Sequence, residues 1–191
     1  CDKQKTKERR GAHVPMEEIK LTGEQRRQKL RSWLQASSPL TGSELARRAS
    51  VSRQVIVQDM TLLKAKNHAI LATSQGYIYL TENKEPRSER IIACKHDPSR
   101  TEEELLLLVD YGVSVDDVII EHPVYGQLTA LIRVGTRSEV YDFIERITAT
   151  GASYLSELTD GIHLHTISAP DEERIEKACA ALQKAGFLVE D

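Results

Sequence analysis

The stretch TGSELARRASVSRQVIVQDM, residues 41–60, decides the fold of the first part of the chain. Thr41 or Ser43 is suited to cap the start of a helix, and the helical pattern stops near Val51 after only a couple of turns. Ser52 then marks the start of a longer helix. Apolar residues recur in that helix at helical spacing: Ile56, Met60 and Leu63. A short helix, a tight turn and a longer helix predict a helix-turn-helix.

The segments on either side extend this motif to a winged helix. On the N-terminal side, Thr22 and Gln25 have the spacing of a capping box in front of another helical pattern. On the C-terminal side, two β-forming runs flank Ser74-Gln75-Gly76, which is typical of a hairpin turn. Residues 22–80 are therefore predicted to form three helices and a hairpin.

The rest of the chain divides by composition. Residues 1–21 are basic and poor in apolar side chains, as in a flexible arm, and residues 81–89 have the polar, proline-bearing composition of a linker. Helical and β-forming segments alternate irregularly over residues 90–191. We therefore expect an α+β protein, in which a winged helix-turn-helix domain precedes an α+β regulatory domain with a mixed or antiparallel sheet.

Charge is distributed unevenly along the 191 residues, whose net charge is only -3. Residues 22–80 carry nine Lys or Arg and three Asp or Glu, a net +6, whereas residues 90–191 carry nine and nineteen, a net -10. This asymmetry indicates that the basic segment meets a polyanion. The acidic segment is not expected to lie along phosphates.

Composition disfavours membrane, secreted and disulfide-bonded proteins. No apolar run approaches the roughly 18 residues that span a bilayer, and no signal-peptide pattern opens the chain, so we expect a cytoplasmic protein without a membrane partner. The three cysteines, Cys1, Cys94 and Cys179, are far apart and lack C-x-x-C spacing, which argues against a disulfide framework or a zinc ribbon.

The longer helix of the helix-turn-helix exposes side chains that suit a major groove. Arginine pairs with guanine and glutamine with adenine, and a helix N-terminus holds a phosphate. A winged helix that binds proteins is the alternative, and the net charge of +6 favours duplex DNA. The predicted groove contacts are Ser52, Arg53, Gln54, Val57 and Gln58, with Gln75 on the wing, and the predicted backbone contacts are Arg26, Arg27, Arg47, Arg48 and Lys64.

Histidines of the acidic segment form a candidate metal site. In an extended segment, His163 and His165 leave the same face of the sheet, and paired neutral imidazoles suit a divalent transition metal. His96 follows another predicted strand, and Glu104 lies in the first turn of the next helix. Two alternatives remain open: the His-x-His pair is a polar strand face, or Glu104 forms a capping box with Thr101.

Three motifs resemble those of the winged-helix repressors that carry a C-terminal 3H, or three-histidine, domain and respond to niacin. The first motif is VSRQVIVQD at residues 51–59, in the predicted DNA-binding domain. The others are EHPVYG at residues 121–126 and GIHLHTI at residues 161–167, and both are long and specific. Lys95-His96 and the helix start at residues 169–172 add to a resemblance that covers nearly the whole chain beyond the arm.

The resemblance implies a transcriptional repressor of genes for NAD biosynthesis or niacin uptake, with nicotinic acid as co-repressor. It implies binding to operator DNA and a divalent transition metal, such as nickel, zinc or iron. We also expect a homodimer, because operators present paired half-sites. The implied metal ligands are His96, Glu104, His163 and His165, and the implied effector contacts are His122 and Tyr125. The sequence departs from the family pattern at Asn67-His68, which replaces a glycine-bearing turn and could alter the placement of the wing.

Two other functions compete with this interpretation. A metal-dependent enzyme of pyridine metabolism fused to a winged helix would need a general base, for which Asp97, Glu121 or His122 is available. No His-Glu-x-x-His, Walker or Gly-x-Ser-x-Gly motif supports an enzyme, so we expect none. A repressor that senses the metal itself is the other alternative.

Overall fold

The computed structural model describes residues 21–80 and 87–189. The predicted basic arm, apart from its last residue, and residues 81–86 of the predicted linker lie outside the described residues. None of the helices in the described ranges has the length and apolarity needed to cross a membrane.

The first domain has the predicted winged helix. Three threonine or serine caps start its helices, because Thr22, Thr41 and Ser52 each accept a hydrogen bond from the backbone N–H three residues further on. Of the two candidate starts for the second helix, the structure selects Thr41. The elements are α1 (Gly23–Ala36), α2 (Gly42–Ala49), α3 (Arg53–Ala65), β1 (Ile70–Thr73) and β2 (Gly76–Tyr79).

The core of this domain forms where the apolar stripes of the three helices meet. Ile56 and Met60 face Leu30 and Leu45, and all four side chains are essentially inaccessible to water. Burying one such side chain stabilises the fold by about 1.5–3 kcal/mol. Because these apolar residues face the core, α3 exposes Arg53, Gln54, Val57 and Gln58 to solvent.

The second domain is a four-stranded antiparallel sheet with helices. The strand order is β3-β6-β4-β5, so the last strand of the chain is inserted between two earlier ones and occupies the interior of the sheet. This arrangement gives the protein its α+β class. The elements are β3 (Ser88–Lys95), α4 (Thr101–Asp110), β4 (Ser114–His122), β5 (Gly126–Val134), α5 (Arg137–Thr150), β6 (Ile162–Ala169) and α6 (Glu172–Lys184), with 3₁₀ turns at Pro98–Arg100 and Leu155–Thr159.

Three local predictions for this domain need correction. Strand β3 begins at Ser88, inside the predicted linker at residues 81–89. Thr101 is the first residue of α4 and not its cap, because Asp97 caps the preceding 3₁₀ turn by accepting a hydrogen bond from the N–H of Ser99. The strand expected at the C-terminal end of the chain is a single bridge between Leu188 and Cys94.

Candidate metal centre and nucleic-acid interface

Strand β6 places two histidines in the interior of the second domain. His163 and His165 alternate with outward-facing residues, so both reach the face of the sheet that the helices cover, and each side chain is only 3% exposed. In the register with β3, His163 lies opposite Cys94, and His165 lies opposite Ile92. The structure therefore confirms that the His-x-His pair shares one buried face.

His96 and Glu104 reach the same place from the edge of the sheet. The N–H of His96, just after β3, donates to the carbonyl of Gly161 at 3.4 Å. Gly161 has a φ of +83°, and a Cβ there would lie 2.2 Å from the carbonyl oxygen of His96, so only glycine allows this approach. Glu104, in the first turn of α4, is completely buried.

The carboxylate of Glu104 stands at the centre of the three imidazoles. His96 Nε2 lies 2.8 Å and His165 Nε2 lies 3.4 Å from Glu104 Oε2, and His163 Nε2 lies 3.4 Å from Oε1. The structure thus brings together all four predicted metal ligands. The alternative that Glu104 caps its own helix is wrong, because its side chain points at the histidines.

Each imidazole is held by its other nitrogen. Nδ1 of His96 is 2.8 Å from the carbonyl oxygen of Asp97, Nδ1 of His163 is 2.9 Å from that of Gly161, and Nδ1 of His165 is 2.6 Å from that of Asp117. A carbonyl only accepts hydrogen bonds, so each Nδ1 carries the proton and donates it. The carbonyl of Asp117 can accept the hydrogen bond from His165 because the pairing of β4 with β6 shifts by one residue between Val115 and Ile119.

This choice of tautomer leaves three Nε2 lone pairs facing the oxygens of one carboxylate. These lone pairs repel the carboxylate oxygens unless positive charge lies between them. Either protons on the Nε2 atoms or a metal ion can supply that charge. Two of the three Nε2–O distances are 3.4 Å, which is long for a hydrogen bond. About 3.4 Å is also the separation of two ligand atoms that each lie about 2.1 Å from a tetrahedral ion. The donor set therefore suits a divalent transition metal.

The charges of the cluster are coupled. Burial by itself disfavours the Glu104 carboxylate, but His165 and the other imidazoles outweigh burial and hold the pKa of Glu104 well below its usual range. Burial likewise disfavours protonated His165 and His96, yet the facing carboxylate raises the pKa of both. The cluster thus attracts positive charge, whether a proton or a metal ion brings it.

Cys94 lies beside the cluster, and the sequence reasoning missed it. Its Sγ and ligand atoms of Glu104 and His163 all lie within 4.8 Å of one another. Burial raises the pKa of the Cys94 thiol, and the nearby Glu104 carboxylate raises it further, so the thiol stays protonated. Only the pairing of β3 with β6 sets Cys94 opposite His163, and this pairing joins segments that are distant in the sequence.

A cavity of about 240 Å³ adjoins the histidine cluster. Six of the eight buried polar residues among those described line it, namely His96, Thr101, Glu104, Ser156, His163 and His165. Its opposite wall is apolar and comes from β5 and α5, through Ala130, Ile132, Phe143 and Ile147. No Lys or Arg of the described chain lines this cavity, which we call the histidine cavity. It can hold one small ring with a polar end.

The two residues expected to contact the effector lie elsewhere. His122 and Tyr125 are at the tip of the β4–β5 hairpin, where Nδ1 of His122 accepts hydrogen bonds from the N–H groups of Val124 and Tyr125. Neither lines the histidine cavity, and Tyr125 is 74% exposed.

The exposed face of α3 carries the predicted groove contacts. All five residues, Ser52, Arg53, Gln54, Val57 and Gln58, are exposed along the first half of the helix. This is the half that meets base edges in helix-turn-helix proteins.

The predicted backbone contacts are less available than expected. Asp59, which is 2% exposed, forms ion pairs with both Arg26 and Arg27, so these two arginines stabilise the domain core. Arg47 and Arg48 both pair with Glu44 on their own helix. Such exposed pairs contribute little to stability, so Arg47 and Arg48 remain free to exchange Glu44 for a phosphate.

The wing does not point freely into solvent. The side-chain amide of Gln75 donates to the carbonyl of Glu139 on α5 at 3.4 Å. Ser74 donates through its N–H to Leu131 and through its hydroxyl to Ile132, both on β5. The prediction that Gln75 contacts DNA is thus at odds with this conformation, in which the turn of the wing is bound to the second domain.

Known proteins match the chain in both domains. Residues 26–78 match the HTH domain family, and residues 89–191 match the 3H domain family. The chain is 63% identical over 178 residues to "Transcription repressor NadR" of Bacillus subtilis, which covers 92% of this chain and 99% of that protein. It is 44% identical over 156 residues to "Probable transcription repressor NiaR" of Thermotoga maritima, which covers 82% of this chain and 88% of that protein.

Proposed function

Because this chain belongs to the 3H-domain family of transcription repressors, we propose that it represses genes of NAD metabolism when nicotinic acid binds in its second domain. As in its relatives, the activity is repression and not catalysis. The observation that carries the proposal is the set of three buried imidazole Nε2 atoms around Glu104, beside a cavity of about 240 Å³.

The proposed site contains a divalent transition metal held by His96, Glu104, His163 and His165. Its ligand atoms are already oriented, since each Nδ1–H is fixed by a backbone carbonyl, as is usual for histidines that bind metals. Glu104 Oε1 has no hydrogen-bond partner among the described residues. Histidine and carboxylate ligands suit nickel, zinc or iron. A bound cation would supply positive charge at the polar end of the histidine cavity.

Nicotinic acid suits the rest of the histidine cavity. Phe143 and Ile132 offer apolar surface to a flat pyridine ring. A buried carboxylate is costly without a compensating charge, and none of the described residues that line the cavity is Lys or Arg. The metal is therefore proposed to balance the effector carboxylate. The hydroxyl of Thr101, which is buried and has no partner among the described residues, supplies a hydrogen-bond donor.

The first domain is proposed to bind operator DNA as part of a homodimer. Ser52, Arg53, Gln54 and Gln58 would enter the major groove, because they share the exposed N-terminal half of α3. Two such helices in a two-fold dimer read half-sites about one helical turn apart, or a multiple of it. Effector binding would favour the dimer arrangement that matches this spacing.

The testing experiment is an operator mobility shift with and without nicotinic acid, repeated after chelation. In addition, calorimetry measures the binding of nicotinic acid to the wild-type protein and to the His163→Ala/His165→Ala variant. His68→Ala is a matched control outside the cluster. We expect chelation and the double substitution to abolish the response, and His68→Ala to retain it. Undiminished binding of nicotinic acid without metal would overturn the metal's role. Operator binding that follows metal concentration and ignores nicotinic acid would select the metal-sensing alternative.

A further inference from the structure

A second cleft, of about 350 Å³, lies between the two domains. The start of α2 and the wing form two of its sides, and Arg146 of α5 reaches it from the second domain. Arg53, the first residue of α3, lines the same cleft. We call it the interdomain cleft.

The interdomain cleft is strongly electropositive. Two guanidinium groups, those of Arg53 and Arg146, line it together with the N-terminus of α2, and none of its described lining residues is Asp or Glu. Like charges repel, and the positive end of the dipole of α2 adds to their field. Nη2 of Arg146 is buried and has no hydrogen-bond partner among the described residues. A buried donor without a partner is costly, so the Arg146 guanidinium retains a hydrogen bond that it can offer to an anion.

The position of Arg53 shows where that anion would lie. A Cβ on Gly42 would be 3.4 Å from Arg53 Nε and 3.7 Å from the ring of Tyr77, so the Arg53 side chain lies directly over the start of α2. In helix-turn-helix complexes, the first helix of the motif crosses the DNA backbone and the second enters the groove. The cleft therefore opens at the place where a backbone phosphate passes between α2 and α3.

We propose that Arg146 of the regulatory domain binds a backbone phosphate of the operator together with Arg53. This inference rests on the proposed function only in requiring that the protein bind duplex DNA. It adds a DNA contact from a segment whose net charge of -10 argues against one. Arg146 is an exception within that segment, because it lines a cleft whose other described lining residues all belong to the first domain.

The same helix connects this contact to the histidine cavity. Phe143 and Ile147 of α5 line the histidine cavity, and Arg146 lies on an adjacent part of the helix surface. Glu139, at the start of α5, accepts the hydrogen bond from Gln75 of the wing. A ligand that shifts α5 therefore also shifts the guanidinium that holds the phosphate.

The test compares Arg146→Gln with Arg137→Gln, its matched control on the same helix, where Arg137 is exposed and pairs with Asp110. Binding is measured at several salt concentrations to a duplex of about three helical turns that carries a site selected from random sequence. We expect Arg146→Gln to weaken binding about tenfold at low salt. Losing one phosphate contact should also reduce the steepness of log K against log salt by about 0.9. Arg146→Lys, which keeps the charge, should retain the steepness.

Several outcomes would overturn the proposal. One is an unchanged steepness of log K against log salt in Arg146→Gln, even if that variant binds the duplex more weakly. Another is a reduction of this steepness in Arg137→Gln that equals the reduction in Arg146→Gln. Inorganic phosphate serves as a second probe. If Arg146→Gln abolishes phosphate binding but leaves duplex binding intact, the cleft takes a free anion and not DNA. A wild-type protein that binds no duplex at all would instead contradict the proposed function.

Discussion

The N–H of Ser74, at the turn of the wing, donates a hydrogen bond to the carbonyl of Leu131 at 3.0 Å. The residues on either side of Leu131, Ala130 and Ile132, line the histidine cavity. The turn of the wing and the cavity proposed to bind the effector are therefore separated by the thickness of one β-strand. We expect a bound effector to act on the wing through this short connection.

Loosening this connection should weaken the response to nicotinic acid. Ser74→Ala/Gln75→Ala removes the two side-chain hydrogen bonds that attach the wing to β5 and α5. Each such bond contributes about 1 kcal/mol net, so losing both should lower the ratio of operator affinities with and without effector by up to about thirtyfold. Gln127→Ala, an exposed glutamine on β5, is the control. A full response in the double variant would show that the signal passes by another route.

Glycine at position 161 should prove essential for metal binding. Gly161→Ala places a Cβ 2.2 Å from the carbonyl oxygen of His96 and disturbs the carbonyl that fixes His163, so metal affinity should fall by 10–100-fold or more. Gly151→Ala is a matched control, because Gly151 also has a positive φ, of +63°, but has no atom within 4 Å of the added Cβ. Calorimetry with nickel or zinc measures both variants. Equal affinities in the two would contradict the role given to Gly161.

The pH dependence of stability should differ between the metal-free and metal-loaded protein. In the metal-free protein, the pKa values of His96 and His165 lie above 6.5, so their stabilisation is complete below pH 6.5 and is lost as pH rises through the raised values. The pKa of Glu104 lies below 4.5, so its stabilisation is present above pH 4.5 and is lost as pH falls through the lowered value.

Metal-free protein should therefore be most stable between about pH 4.5 and pH 6.5. A metal requires neutral imidazoles, so the stabilisation by added metal should increase as pH rises above about 6.5. Thermal melts across this range, with and without chelator, measure both trends. Identical pH profiles under the two conditions would argue against metal binding at the cluster.

Asp59 should be a stability residue and not a DNA contact. Asp59→Ala leaves Arg26 and Arg27 without their shared partner, and hydrogen bonds to charged groups contribute about 1.5–3 kcal/mol, so the free energy of unfolding should fall by about that amount. Glu44→Ala, which removes only exposed ion pairs, should cost at most about 1 kcal/mol. Denaturant titrations compare the two. A smaller loss for Asp59→Ala than for Glu44→Ala would refute this assignment.

Cys94 should stay outside the coordination sphere. Its thiol has a raised pKa, and the proposed site already has four ligands in three imidazoles and Glu104. The cobalt-substituted protein should therefore lack an intense sulfur-to-cobalt charge-transfer band. Cys94→Ser should leave the visible spectrum unchanged. A band that disappears in Cys94→Ser would make the thiol a ligand.

Local patterns in the sequence were sufficient for the winged helix. Thr22, Thr41 and Ser52 start its helices because a capping side chain bonds to a backbone N–H only three residues away. The spacing of Ile56, Met60 and Leu63 fixes which face of α3 is buried, and therefore which face is exposed to DNA. The His-x-His pair could be placed on one face for the same reason, since side chains alternate along any strand.

Tertiary structure alone decided the contacts between distant segments. Insertion of β6 between β3 and β4 sets Cys94 opposite His163, and a one-residue shift in pairing frees the Asp117 carbonyl for His165. No local pattern specifies either relationship, because strand order and register depend on the packing of the whole sheet. For the same reason, local patterns could not give the surroundings of Gln75 and His122: the fold binds Gln75 to the carbonyl of Glu139 on α5, and His122 does not line the histidine cavity.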